Sequence, residues 1–550
     1  MILRILAILT ILLSFSFGDL VSQIEEKIAT SGIAKDNISI SIKETGAGGK
    51  KIISLHEYTL RTPASVLKVP TTLSALLEFG ENFRWKTEFY SDGTISNGIL
   101  NGNLFIKGGG DPALETKDVQ NIVAKLKLIG IGSIRGNIII DRYYFEPSEK
   151  RSAYFDENPY SPYNALPDAM MFNQNTTTLS INGDCVDCEV DDKSFDIENR
   201  INTNSNRCDW PQVRIVDNIK PKVIISGNIS QKCSTKKITK IVSKSYLSFY
   251  HSFRENLTKN GIDFNGRLVV GRVSSDSRKI FTHYSKPLLE IVGETNKESN
   301  NLFARQIFLT LGAEVVGSPS NLEKSRIAVH QILQKNGISG VDMLKIENGS
   351  GLSRTAKASS IVFEEMLELA YAKFGYKWLN TLSIAGVDGT IKTRFPSALR
   401  NKVWMKTGTV KNAKNIVGYV KSNNGKLYTV VIFVNDSRAS TTGLRLENDI
   451  IKLLASGGVY SDDYSGYQAQ SVITKSVSNG NYFIQVGSFA SNSSSLLEKK
   501  LRHLEYDYKI IPSGNVKKVL VGPYATKESA NKSLYDLRDQ INPEAFITTK

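Results

Sequence analysis

Lys68 and Ser299 each belong to a short polar motif, and about 230 residues separate them. The groups of Ser65-Val66-Leu67-Lys68, Ser299-Asn300-Asn301 and Lys406-Thr407-Gly408 can cooperate only if the fold gathers all three segments. A gap of that size is far longer than neighbouring elements need, and a structureless loop of such length is not compatible with a compact chain. An inserted domain, or a pair of them, is therefore predicted over residues 90–285. Its short runs Gly102–Ile106, Gly136–Ile140, Val213–Ile215 and Val223–Ile225 predict a β-rich insertion. Gly108-Gly109-Gly110-Asp111-Pro112 lacks the Lys-Ser/Thr of a phosphate loop and reads as a turn.

The flanks of the insertion, residues 19–90 and 285–456, predict one discontinuous domain. Leu20–Ala29 reads as a helix, and alternating Ile38, Ile40 and Ile42 as a half-buried strand. Lys51–Leu55 follows as a second strand, and a helix begins at Ser65 and runs to Phe79. At the other end, Val403–Val410, Ile416–Val420 and Tyr428–Val434 read as strands, with Asn423-Asn424-Gly425 a tight turn. Thr442–Ala455 closes the unit, its Leu446, Ile450, Ile451 and Leu454 at helical spacing. The fold class predicted is multidomain α+β: an antiparallel sheet flanked by helices, with the first and last segments side by side.

Residues 457–480 are polar and aperiodic and read as a flexible linker. Residues 481–550 are ordered again. Strands Tyr482–Phe489, Tyr506–Ile511, Val516–Tyr524 and Ala545–Thr549 alternate with two helices, one carrying Leu497, Leu501 and Leu504, the other Ala530, Leu534, Leu537 and Ile541. That β-α-β-β-α-β order is the ferredoxin-like arrangement.

Residues 1–18 read as an export signal: Arg4, an apolar run Ile5–Phe17, then Ser16-Phe17-Gly18 as a cleavage pattern. The run of about 13 residues falls short of the roughly 20 a spanning helix needs, so a periplasmic protein without a stable membrane span is expected. The net charge of +15 then fits an acidic wall polymer better than nucleic acid, which an exported protein rarely meets. Cys185, Cys188, Cys208 and Cys233 lie close together, and in an oxidising compartment two disulfides are favoured over zinc, with three pairings open.

A serine hydroxyl needs a base. The five histidines form no HExxH group, and no G-x-S-x-G elbow is present. Lys68, three residues after Ser65, shares its helical face and is the available base. Each motif alone is common in a Ser- and Lys-rich chain. The ordered trio resembles the SxxK, SxN and KTG elements of the penicillin-recognising serine acyl-transferases. That resemblance implies Ser65 as nucleophile and Lys68 as its base, which must be neutral. Lys406 would depress Lys68 and attract a peptide carboxylate. Ser299 would relay a proton to the leaving amine, and Asn301 would hold the substrate amide. Thr407, Gly408 and Thr409 would bind substrate, the N–H groups of Ser65 and Thr409 holding the oxyanion.

Longer stretches sharpen the likeness. Pro63-Ala64-Ser65-Val66-Leu67-Lys68, Asn296-Lys297-Glu298-Ser299-Asn300-Asn301-Leu302, Asn348-Gly349-Ser350-Gly351-Leu352-Ser353-Arg354 and Ala385-Gly386-Val387-Asp388-Gly389-Thr390 resemble the penicillin-binding protein 4 type of D-alanyl-D-alanine carboxypeptidase and endopeptidase. So do the Gly108–Pro112 turn and the long insertion. The family usually has Asp where Asn348 stands, so no catalytic role is assigned there. Gln485-Val486-Gly487-Ser488-Phe489 and Val521-Gly522-Pro523-Tyr524 make residues 481–550 resemble a SPOR domain, a peptidoglycan-binding module. The resemblance implies peptidoglycan stem peptides and glycan strands as partners, β-lactams as covalent inhibitors, and no cofactor. The same groups serve carboxypeptidase and endopeptidase chemistry. A β-lactamase of the same superfamily and a catalytically idle wall-binding scaffold are the rival readings.

Overall fold

The computed structural model describes residues 20–457, except 183–184, 189–191 and 205, and residues 480–549, except 490–496, 499–500, 502–505, 515 and 543–544. The expected export signal and almost all of the expected linker lie outside these residues. The chain divides into two compact units, Met1–Gly457 and Gly458–Lys550. Among the described residues, no helix is long and apolar enough to cross a membrane.

The first unit is organised by a six-stranded antiparallel sheet. Its strands are β1 (Ile38–Glu44), β2 (Lys51–Leu55), β3 (Ser383–Ile384), β4 (Val403–Val410), β5 (Ala413–Lys421) and β6 (Leu427–Val434), in the order β2-β1-β6-β5-β4-β3. Strand β1 lies against β6, Ile38 opposite Val434, so the two ends of the domain are zipped together as expected. Strands β5 and β6 read as continuous apolar runs because both of their faces are covered. On one face Val417, Tyr419, Val431 and Phe433 join the main core. Val430, Ile432 and Val434 point the opposite way and are equally buried.

The longer helices that accompany this sheet are α1 (residues 20–30), α2 (Lys68–Phe79), α3 (Leu288–Lys297), α4 (Asn301–Val315), α5 (Leu322–Lys335), α6 (Ser360–Phe374) and α7 (Leu444–Ser456). Helix α2 packs against α3, α4, α5 and α6. Every residue from Lys68 to Leu76 is buried, which is why the stretch lacks an amphipathic stripe. Pro70 sits in its first turn, where a missing N–H costs little. Helix α7 covers β5 from the other side, with Leu446, Ile450, Ile451 and Leu454 buried.

The insertion is β-rich, as expected, and also holds two helices, Thr116–Leu128 and Ser245–Lys259. Their apolar faces meet a five-stranded and a four-stranded sheet around Phe89, Val123, Phe249 and Phe253. Two three-stranded sheets follow, sharing a small core that includes Leu179, Ile181, Val223 and Ile225. There Cys208 and Cys233 form a disulfide, their Cα atoms 5.7 Å apart. Closing a loop with a sequence separation of 25 stabilises by roughly 3 kcal/mol in the chain-entropy account. Two bridges are expected with their pairing open; the side chains of the other two cysteines, Cys185 and Cys188, lie outside the described residues. Among the described residues no cluster of metal-ligating side chains occurs.

The second unit is one four-stranded antiparallel sheet of β7 (Tyr482–Phe489), β8 (Tyr508–Ser513), β9 (Val516–Tyr524) and β10 (Phe546–Thr549), in the order β8-β9-β7-β10. With α8 (Lys527–Gln540) between β9 and β10, this is the ferredoxin-like order. Leu497 and Leu501 join its core beside Ala530, Leu534 and Leu537, whereas Leu504 of the expected first helix lies outside the described residues.

Candidate active site

Ser65 sits in a short 3-10 turn, Ala64–Leu67, that leads into α2 at Lys68. The turn is tightly pinned. Ala64 takes a left-handed φ of 52°, unusual for a residue with a side chain. Asn415 on β5 donates through Nδ2 to Thr62 O at 2.9 Å and Pro63 O at 2.8 Å. Two glycines let neighbouring backbone close in. A Cβ on Gly408 would lie 2.8 Å from Pro63 O and 3.0 Å from Ser65 N; one on Gly351 would lie 1.9 Å from Ala64 O. Strand β4 and the loop 348–352 therefore flank the serine turn.

Lys68 Nζ lies 3.1 Å from Ser65 Oγ, 2.7 Å from Asn301 Oδ1 and 2.6 Å from Ser350 O. It is fully buried and, among the described residues, meets no carboxylate. Burial, then the positive charges of Lys406 and Arg305, hold its pKa well below the usual lysine range. Lys406 Nζ lies 2.8 Å from both Ser299 Oγ and Thr407 O, and burial lowers its pKa to about 7. Asn301 Nδ2 donates to Tyr163 O at 3.3 Å, so its amide oxygen is the end left facing Lys68.

The structure thus brings together Ser65, Lys68, Ser299, Asn301 and Lys406, with half-buried Thr407, buried Gly408 and exposed Thr409 along β4. Asn300, the middle residue of its motif, does structural work: its side chain caps α4 by accepting from Phe303 N and donates to Gln174 Oε1 at 2.8 Å. Ser299 holds a left-handed φ of 54° that turns its hydroxyl towards Lys406.

Two participants escape a reading by residue type. Ser350 contributes a backbone oxygen, held because Asn348 Oδ1 accepts from Ser350 N at 3.1 Å and from its hydroxyl at 2.9 Å. Arg305 lies one helical turn beyond Asn301, is buried, and donates to Ala165 O at 2.6 Å. The glycines around Ser350 and the (i, i+4) spacing to Asn301 were the available signals.

The family described as D-Ala-D-Ala carboxypeptidase 3 (S13) matches residues 20–456, and the SPOR domain matches residues 478–549. The D-alanyl-D-alanine carboxypeptidase DacB of Haemophilus influenzae is 27% identical over 398 residues, covering 68% of this chain and 81% of that protein. The D-alanyl-D-alanine carboxypeptidase of an Actinomadura species is 23% identical, covering 77% and 81%. The crystal structure of penicillin-binding protein 4 from Haemophilus influenzae matches with a TM-score of 0.67 at 25% identity, covering 79% of this chain and 99% of that one.

Proposed function

The chain belongs to the D-Ala-D-Ala carboxypeptidase 3 (S13) family, and on that premise we propose that it hydrolyses D-Ala-terminated bonds of peptidoglycan in the periplasm through a Ser65 acyl-enzyme. The observation that carries this reading is the set of partners around Lys68. Asn301 Oδ1 and Ser350 O carry no protons and take two N–H bonds. A neutral amine then has one lone pair left, and the remaining partner is the Ser65 hydroxyl. Ser65 O–H donates to Lys68, and its oxygen attacks the carbonyl of the penultimate D-Ala.

The N–H groups of Ser65 and Thr409 receive the oxyanion. Lys406 and Thr407 take the terminal carboxylate, and Asn301 the substrate amide. The amide bond between that carbonyl carbon and the nitrogen of the terminal residue breaks, with Ser299 passing the proton from Lys68 to the departing amine. Water, deprotonated by Lys68, then attacks the ester and releases Ser65. The same groups accommodate a terminal D-Ala or a D-Ala cross-link, and β-lactams acylate Ser65. Digesting purified muropeptides and weighing the products tests this: pentapeptides should lose one alanine and cross-linked dimers should yield monomers. Intact muropeptides alongside rapid turnover of nitrocefin would replace the proposal with the β-lactamase reading.

A pH dependence follows from the two lysines. Lys68 acts only when neutral, so kcat/KM falls on the acid side as it is protonated. Lys406 attracts a carboxylate only when charged, so kcat/KM for a carboxylate-terminated peptide falls again above its free-enzyme pKa of about 7. The C-terminal amide of the same peptide should lack this alkaline limb. Identical profiles for both peptides would remove Lys406 from carboxylate binding.

The SPOR domain, on this reading, holds glycan while the first unit searches nearby peptides, raising local substrate concentration. Deleting residues 470–550 should leave turnover of a soluble peptide ending in D-Ala-D-Ala nearly unchanged and reduce both binding to whole sacculi and activity on them. In residues 480–550, lysines and arginines outnumber acids by only three, so binding should survive moderate salt. A truncated protein equally active on both substrates would refute the tethering.

A further inference from the structure

Thr407 is tied to a segment that the mechanism above does not use. Its hydroxyl donates to Thr390 Oγ1 at 2.9 Å. Thr390 Oγ1 is in turn 3.2 Å from Ser383 Oγ, with either hydroxyl able to donate. Ser383 Oγ accepts from Thr390 N at 3.1 Å and donates to Lys297 O at 3.3 Å. The loop holding this row of hydroxyls is braced from both sides. Asp388 accepts from Ile384 N on β3 at 3.0 Å and pairs with Lys297 Nζ at 2.6 Å. Gly389, at a left-handed φ of 62°, leaves room where a Cβ would lie 2.3 Å from Ser383 Oγ and 2.9 Å from Lys297 O. Residues 383–390 thus staple the Ser299 segment to β4, and the staple ends on the hydroxyl beside Lys406.

We propose that Thr390 is a positioning residue for the substrate's terminal carboxylate, acting through Thr407 by way of a reversible row of hydroxyls. The proposal rests on the reading of Lys406 and Thr407 as the carboxylate site. Without substrate, the Thr407 proton points at Thr390. A carboxylate offers only acceptors, so the Thr407 hydroxyl must turn to donate to it, leaving its own oxygen facing Thr390. Thr390 can then donate to Thr407 because its hydroxyl is the middle member of the row, with Ser383 able to donate to it from behind. Each hydroxyl reverses in concert, and the acceptor that gives up its donor is Lys297 O at the far end of the row, from which the Ser383 proton turns. A residue without a hydroxyl at position 390 would leave Thr407 without a partner on that side and the carboxylate with a poorly aligned donor.

The test compares Thr390→Val, which keeps the shape and removes the hydroxyl, with Thr390→Ser, on a short peptide ending in D-Ala-D-Ala and on its C-terminal amide. Thr390 is exposed, so neither change disturbs the core. The expected result is a rise of about 3–10-fold in KM for the carboxylate peptide with Thr390→Val, the scale of one neutral hydrogen bond. Its kcat should stay within about twofold, Thr390→Ser should restore KM, and the amide should be unaffected. An unchanged KM would overturn the proposal. So would equal losses on peptide and amide, which would reduce Thr390 to a brace of the loop. If the unaltered enzyme handles the amide as well as the carboxylate, the carboxylate site itself has been misread and the proposal falls with it.

Discussion

Ser65→Ala should abolish covalent labelling by a fluorescent penicillin and release of D-Ala, leaving the melting temperature within a degree or two of the parent. The change removes one oxygen that a single long contact from Lys68 reaches, and no core volume. Lys68→Ala should instead slow acylation by about 10²–10⁴-fold, the range that a positioned base supplies, without removing the nucleophile. The two effects are therefore distinguishable: no label at any time for the first, slow label reaching full stoichiometry for the second. Label on the Ser65→Ala protein at parental stoichiometry would move the nucleophile elsewhere. Fast labelling of the Lys68→Ala protein would mean that another group takes the serine proton.

How much of this was readable in the chain depended on whether side chains or backbone carry the information. The strands β5 and β6 announce themselves as apolar runs around an Asn-Gly turn, and the sheet that β6 forms with β1 buries both faces. Ser65 and Lys68 are legible as a pair because three residues on a helix return to the same face. The two-residue strand β3 has no periodicity to read, yet its Ser383 meets Thr390, the hydroxyl beside Thr407. Ser350 acts through a carbonyl oxygen, which every residue has, so only the glycines beside it hinted at a close approach. Arg305 looks like one more cation on a helix until the fold buries it near Lys68. The Cys208–Cys233 pairing is set by which strands neighbour one another in the insertion, and spacing alone leaves it open.

Gly351 is where backbone geometry should matter most to catalysis. Its φ of +80° is costly for any residue with a side chain, and a Cβ there would lie 1.9 Å from Ala64 O and 3.0 Å from Ser65 Cα. All of these atoms are backbone or fixed to it, so the loop 348–352 must withdraw from the serine turn. Withdrawal carries Ser350 O away from Lys68, which would lose one of its two proton-free acceptors. Gly351→Ala should therefore cut the rate of acylation by penicillin by about 10²-fold or more, the scale of a group misplaced by an ångström. Gly425→Ala separates this from strain alone. Gly425 has a similar φ of +84°, lies in the turn between β5 and β6, and has nothing within 4 Å of where a Cβ would stand. That variant should lose about 1–2 kcal/mol of stability and acylate at the parental rate. If Gly351→Ala acylates as fast as Gly425→Ala does, then contact between loop 348–352 and the serine turn has no part in setting Lys68.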